Sequence, residues 1–266
     1  MNDIIMSFGN AAVFSIVCSI RPDNGKEGWI DNTAFMFRRK ASLMNDFVKK
    51  AVFEFEKLSS TPKGEHLRTG EIRKLSARLF RELNKKSKEI VFPICESLLE
   101  QHNWPMSVIA YDFAYRIKNQ YDNDTFYLFE SWLVKYIRGW GSCDDFCTHA
   151  FGELITQNTG LVKNIIPWTA REEFWMRRAA AVVLIPSIRC NKYMETNPTQ
   201  VSDLLMQDTE ELVLKGYGWM LKVLSTKAPD MVYDYLKKNK FIMPRVAFRY
   251  ALEKMDRERK NELLGL

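Results

Sequence analysis

From Met44 onward the chain repeats one pattern, apolar residues at the three-and-four spacing of a buried helix face, and it almost never shows the strict alternation of a half-buried strand. Phe47, Val48, Ala51, Val52 and Phe55 form one such face, and Ile72, Leu75, Leu79 and Leu83 form the next. Similar faces run through SKEIVFPICESLLEQ, PMSVIAYDFAYRI, DTFYLFESWLVKYI and SCDDFCTHAFGELI. Residue pairs at capping-box spacing, Thr169 with Glu172 and Asp208 with Glu211, suggest helix starts, and Pro105, Pro198 and Pro229 fall where a first helical turn tolerates proline. Helices of this length on short loops, paired into units of about 40 residues, match the period of HEAT-like repeats. The expected fold is therefore all-α: a helical-repeat solenoid, a curved superhelix of antiparallel helix pairs. A four-helix bundle with an appendage is the alternative.

Residues 1–43 read differently. Their opening, MNDIIMSFGNAAVFSIVCSI, is apolar but lacks a basic leader and a small-residue cleavage site, so a signal peptide is not expected. The segment RPDNGKEGWIDNTAFMFRRK carries turn chemistry without a period. The division expected is a poorly packed N-terminal extension over 1–43 and one repeat domain over 44–266. No stretch approaches the roughly 18 apolar residues of a membrane span.

The formal charge of +6 favours polyanionic partners such as nucleic acid. Five cysteines, an odd number without paired C-x-x-C spacing, argue against a structural zinc site and for a reduced, cytoplasmic protein. Cys143 and Cys147 are expected as buried thiols. The three histidines, His66, His102 and His149, stand in no triad or metal-ligand context, and His149 reads as a core or boundary residue. No glycine-rich phosphate loop is present, and neither metal nor organic cofactor is expected.

The most informative stretch is GWGSCDDFC, residues 139–147, with Trp140 and Asp144 four apart. FWMRRAAAV follows with Arg177 and Arg178, then KGYGWMLK with Trp219. Tryptophan faces attract cations and a carboxylate stabilises a developing sugar cation, so together these residues suit departure of a flat, cationic leaving group. Each also has a purely structural reading. With Ser142 as N-cap, Asp144 and Asp145 would lie in a first helical turn and favour the helix dipole. Trp140 would be an entry staple and Trp219 core, while Arg177 and Arg178 would pair with Glu172 or Glu173 on their own helix.

These three blocks, in this order, resemble the AlkD-like DNA alkylation repair enzymes, helical-repeat glycosylases that remove N3- and N7-alkylated purines. The resemblance runs from about Met44 to the C-terminus. It implies that Asp144 is the catalytic aspartate, Trp140 and Trp219 the two tryptophans that pack along the deoxyribose backbone, and Arg178 the active-site arginine. It also implies excision with the lesion left in the stack. Where the family commonly has an Arg-Glu pair after its second tryptophan, this chain has Lys222 and Val223, and lysine lacks the bidentate grip of arginine. Asp145 beside Asp144 leaves open which of the two is the key carboxylate.

A concave helical-repeat face lined with cations would track a duplex backbone. Candidates for that contact are Arg177, Arg178, Lys215, Lys222, Lys237, Lys238, Lys240, Arg245 and Arg249. The expected function is excision of 3-methyladenine or 7-methylguanine from duplex DNA by a monomeric, monofunctional glycosylase. The competing expectation is a non-catalytic helical-repeat module that binds DNA structure or a protein partner.

Overall fold

The computed structural model describes residues 44–60 and 67–265, and the expectation for residues 1–43 lies outside them. The chain divides between Asp46 and Phe47, and the unit from Phe47 to Leu266 carries everything that follows. It is all-α, with no strand among the described residues. The helices are α1 (44–59), α2 (Thr69–Arg81), α3 (Lys88–Leu99), α4 (Trp104–Arg116), α5 (Asn123–Tyr136), α6 (Trp140–Cys147), α7 (Ala150–Gln157) and α8 (Val162–Ile165). They continue as α9 (Phe174–Val182), α10 (Ile185–Arg189), α11 (Tyr193–Thr196), α12 (Pro198–Leu204), α13 (Glu211–Ser225), α14 (Pro229–Asn239), α15 (Arg245–Leu252) and α16 (Arg257–Leu264).

Neighbour relations resolve these into a helical repeat. One row runs α2, α4, α6, α9, α13, α15, each packed on the next, and intervening helices such as α3, α7, α10 and α14 return against it. Within the row, side chains meet at matching heights: Arg73 reaches Asp145, Asp144 meets Arg178, and Lys222 meets Glu253. Where a pair of row helices makes two contacts, these advance in the same direction. Ser76 meets Asp112 and then Phe80 meets Phe113, and Tyr111 meets Phe146 and then Tyr115 meets His149. Further along, Cys143 meets Trp175 and then Asp144 meets Arg178, and Gly218 lies against Ala247 before Lys222 meets Glu253. The helices therefore run parallel, with their N-terminal ends toward one edge.

The expected apolar faces are the ones buried. Val48 and Ala51 of α1 and Ile72, Leu75 and Leu79 of α2 are in the core, whereas Phe53 is exposed. Beneath the middle of the row lies an aromatic cluster: Phe129 has Phe92, Trp132, Phe146 and Phe151 within 5.1–5.7 Å between ring centroids. Offset and edge-on rings at such separations add about 0.5–1.5 kcal/mol per pair beyond area burial.

Helix starts follow chemistry only partly visible in the spacing. Pro105, Pro198 and Pro229 do lie in first turns. Asn103 and Asp122 cap α4 and α5 by accepting from Met106 and Thr125 backbone N–H groups. The two expected capping boxes do not form. Thr169 donates to the Ile166 carbonyl inside a 3₁₀ turn, and Asp208 lies outside α13, whose N-cap is Glu210.

Close packing of α13 on α15 depends on Gly218. A Cβ there would stand 2.8 Å from Tyr250 Cβ and 2.9 Å from the Ala247 carbonyl oxygen, and backbone cannot swing aside. Gly218→Val should cost about 2 kcal/mol or more through overpacking. Thermal unfolding checks this, and an unchanged midpoint would contradict the packing described.

Candidate active site

Helix α6 begins at Trp140, because Gly139, in extended conformation, is its N-cap and its carbonyl accepts from Cys143 N–H. Ser142 is therefore inside the helix, and Asp144 is in its second turn, beyond the place where a carboxylate would serve mainly the helix dipole. Phe146 fixes the rotation of α6. It is fully buried and stacks on Tyr111 at 4.6 Å, while Cys143 and Cys147 face the same interior. That orientation turns Asp144 toward α9 and leaves Trp140, one turn earlier on the same face, 54% exposed.

Arg178 of α9 meets Asp144 as a fork. Nε donates to Oδ1 and Nη2 to Oδ2, each at 2.7 Å. Its Nη1 donates to the Leu212 carbonyl in the first turn of α13. The arginine is 5% exposed and so ties three helices of the row together at one height. Burial alone would lower its pKa, yet the Asp144 carboxylate more than offsets this and the net shift is upward, so the guanidinium stays charged.

Space for that side chain comes from Gly216. A Cβ at this position would lie 3.0 Å from Arg178 Cγ and 3.2 Å from Nη1. Leu212, Gly216 and Trp219 are spaced i, i+4, i+7, so Trp219, half-buried, continues the face of α13 turned to Arg178. The four residues singled out by sequence thus fall on three adjacent helices. Asp144 and Arg178 are in direct contact, and Trp140 and Trp219 flank them along their own helices.

Neither arginine pairs within its helix. Glu173 goes to Arg171, and Arg177 reaches Asp208, with Nε to Oδ2 at 2.6 Å, while its Nη1 donates to the Arg171 and Glu172 carbonyls. Arg177 is engaged inside the fold. Among the other expected DNA contacts, Lys215 pairs with Glu211, Lys222 with Glu253 and Lys237 with Glu262. Lys238, Arg245 and Arg249 are exposed and have no ion partner among the described residues.

Asp145 looks the other way along the row. Arg73 of α2 binds its Oδ1, Oδ2 is buried without a partner, and burial pushes its carboxyl pKa up. Nearby, Asp112 accepts from Ser76 and Arg116, and His149 lies 4.0 Å from it with its ring against Tyr115. Burial, then the Arg73 charge, hold His149 down to about 4. Because this depressed value lies below the ordinary 6.5, the unfolded chain takes up the proton first. The stability associated with neutral His149 is then lost as pH falls from about 6.5 through about 4. Asp145 acts with opposite sign as it protonates. Thermal melts across this interval should show a flatter decline for His149→Gln than for wild type; parallel declines would exclude His149 as a source.

Two residues escaped the sequence reading. Trp175, three before Arg178, is half-buried with its indole N–H unpartnered, and the Arg138 guanidinium stands 5.5 Å from its ring centroid. Its i, i+3 spacing from Arg178 was a usable signal. Gly216 carried none beyond its place in KGYGWMLK.

The family model for DNA alkylation repair enzymes matches residues 66–255. The chain belongs to this family. Solved structures also resemble it, each 18% identical. A predicted DNA alkylation repair enzyme from Enterococcus faecalis matches with TM-score 0.63, over 80% of this chain and 96% of that one. AlkD2 from Streptococcus mutans matches with TM-score 0.58, over 80% and 99%. The protein smu.31 from Streptococcus mutans UA159 gives 0.56, over 79% and 100%. At that identity the likeness establishes the helical-repeat fold. No curated protein matches the sequence. Among the described residues of this family member, no helix is long and apolar enough to cross a membrane.

Proposed function

We propose that the protein is a DNA glycosylase that hydrolyses the N-glycosidic bond of N3- or N7-alkylated purines in duplex DNA, with residues 44–266 as the catalytic unit. The observation that carries this reading is the Asp144–Arg178 fork with an exposed Trp140 one helical turn before the carboxylate, in a chain of the DNA alkylation repair family. An alkylated purine already bears a positive charge, so it departs without a general acid. What remains is the cationic sugar, and a fixed carboxylate opposes that charge as it develops. The fork uses two of the roughly four lone-pair positions of Asp144. The others are available to the sugar and to an attacking water, on a side chain that is 17% exposed.

Arg178 acts by positioning. Its two-point grip removes the carboxylate's rotational freedom, so little reorganisation is needed when charge appears. Trp140 supplies a flat apolar surface for deoxyribose, with its electron-rich face toward positive charge. Trp219 continues that surface from α13.

The direct test is to incubate the protein with methylated duplex DNA and identify released bases by mass. Free 7-methylguanine or 3-methyladenine supports the reading. Tight duplex binding with no release would instead mark a non-catalytic DNA-binding module.

A further inference from the structure

The row of parallel helices carries a second exposed apolar feature on the edge that bears Trp140. Between α14 and α15 the chain turns through Lys240, Phe241, Ile242 and Met243, and Phe241 and Ile242 are 93% and 61% exposed. Single exposed apolar residues are ordinary, but this pair is held outward by a braced turn. The Asn239 carbonyl accepts from both Ile242 N–H (3.1 Å) and Met243 N–H (2.9 Å). Asn239 is itself buried, with its amide donating to the Tyr235 carbonyl, and Met243 is sunk in the core. Lys238, Arg245 and Arg249, exposed and without ion partners among the described residues, flank the tip.

We infer that Phe241 and Ile242 form an apolar wedge that enters the minor groove of the bound duplex and partly unstacks one base step well to one side of the lesion, which itself stays stacked. This rests on the duplex-binding part of the function proposed above, not on excision. An apolar tip ringed by cations has the composition of minor-groove wedges, in which unstacking is offset by the extra protein surface that a bent duplex reaches. The braced turn means that little conformational freedom is lost on insertion.

The placement follows from the fold. Gly218 lies against Ala247 and Tyr250, and Lys222 pairs with Glu253, so heights on α13 and α15 rise together. The turn preceding α15 is thus level with the first turn of α13, where Arg178 binds Leu212. With neighbouring helices 8–10 Å apart, α15 stands roughly 25–30 Å from α6. At 3.4 Å per base step, that is roughly eight steps from the nucleotide over Asp144.

The experiment uses the full chain and a duplex carrying N7-methylguanine, with 2-aminopurine scanned through positions on either side of the lesion. Wild type should raise 2-aminopurine fluorescence at one step on one side. The double variant Phe241→Ser, Ile242→Ser should lose that signal and weaken duplex affinity by about tenfold, as expected from removing one stacking contact, without changing its salt dependence. Arg245→Gln should keep the signal and lower the log-log salt slope by about 0.9. Equal fluorescence and affinity in wild type and the double variant would overturn the wedge. So would loss of binding to phosphatidylserine vesicles with the DNA response intact, which would assign the tip to a membrane surface. Base release is measured on the same samples. A wedge-dependent signal without release would defeat the glycosylase reading alone, and normal release with an indifferent signal would defeat the wedge alone.

Discussion

Asp144→Asn should slow excision of N7-methylguanine by about a hundredfold or more, the scale seen when one preorganised electrostatic stabiliser of a transition state is removed. The substitution keeps size and shape. Its amide oxygen still accepts one N–H from Arg178, and the Arg178 bond to the Leu212 carbonyl is untouched. The fold should persist at reduced stability, since the buried Arg178 charge loses its counter-ion. Duplex affinity should change little because Asp144 opposes charge that exists only as the glycosidic bond breaks. Single-turnover rates and equilibrium binding separate the two effects. A rate near wild type with ordinary binding would remove Asp144 from the chemistry.

The second large effect is on stability. Arg178→Ala deletes a side chain that is 5% exposed, along with both bonds to Asp144 and the bond to the Leu212 carbonyl. It leaves a carboxylate without its cation in a half-closed site and empties the space that Gly216 provides. Breaking a buried pair from one side costs about 3–5 kcal/mol, and each kcal/mol moves the melting point of a domain this size by about 2–4 °C. The midpoint should fall by roughly ten degrees or more. Arg178→Lys should recover part of that loss but little excision, since an ammonium carries the charge without the planar fork. Full recovery of the rate by lysine would mean that charge alone, not two-point orientation, is what Arg178 supplies.

The helical periodicity was enough to place α1, α2 and the core faces of α3 to α7, because one buried stripe per helix is the dominant physical demand on such a chain. Proline positions added three helix starts. Capping-box spacing misled at Asp208, whose carboxylate instead binds Arg177 and accepts from Glu210 N–H. Ser142 misled too, since Gly139 in extended conformation starts α6 three residues earlier. At Asp208 the spacing says nothing of the tertiary competitor Arg177; at Ser142 the helix is simply nucleated one turn earlier. The partnership of Asp144 with Arg178 spans 34 residues and had no local signature; only family resemblance suggested it. The role of Gly216 depends on Arg178 standing opposite it, which residue spacing does not encode.

The two adjacent aspartates give the account its sharpest test. Asp144 faces Arg178 at the site, whereas Asp145 faces Arg73 and the buried side of the row. The measurement is the single-turnover rate of N7-methylguanine release by wild type, Asp144→Asn and Asp145→Asn, under conditions where all three remain folded. Release by wild type and Asp145→Asn, with Asp144→Asn slowed by about a hundredfold, is the predicted result. Loss of release in Asp145→Asn with Asp144→Asn unaffected, or no release by wild type, would contradict it.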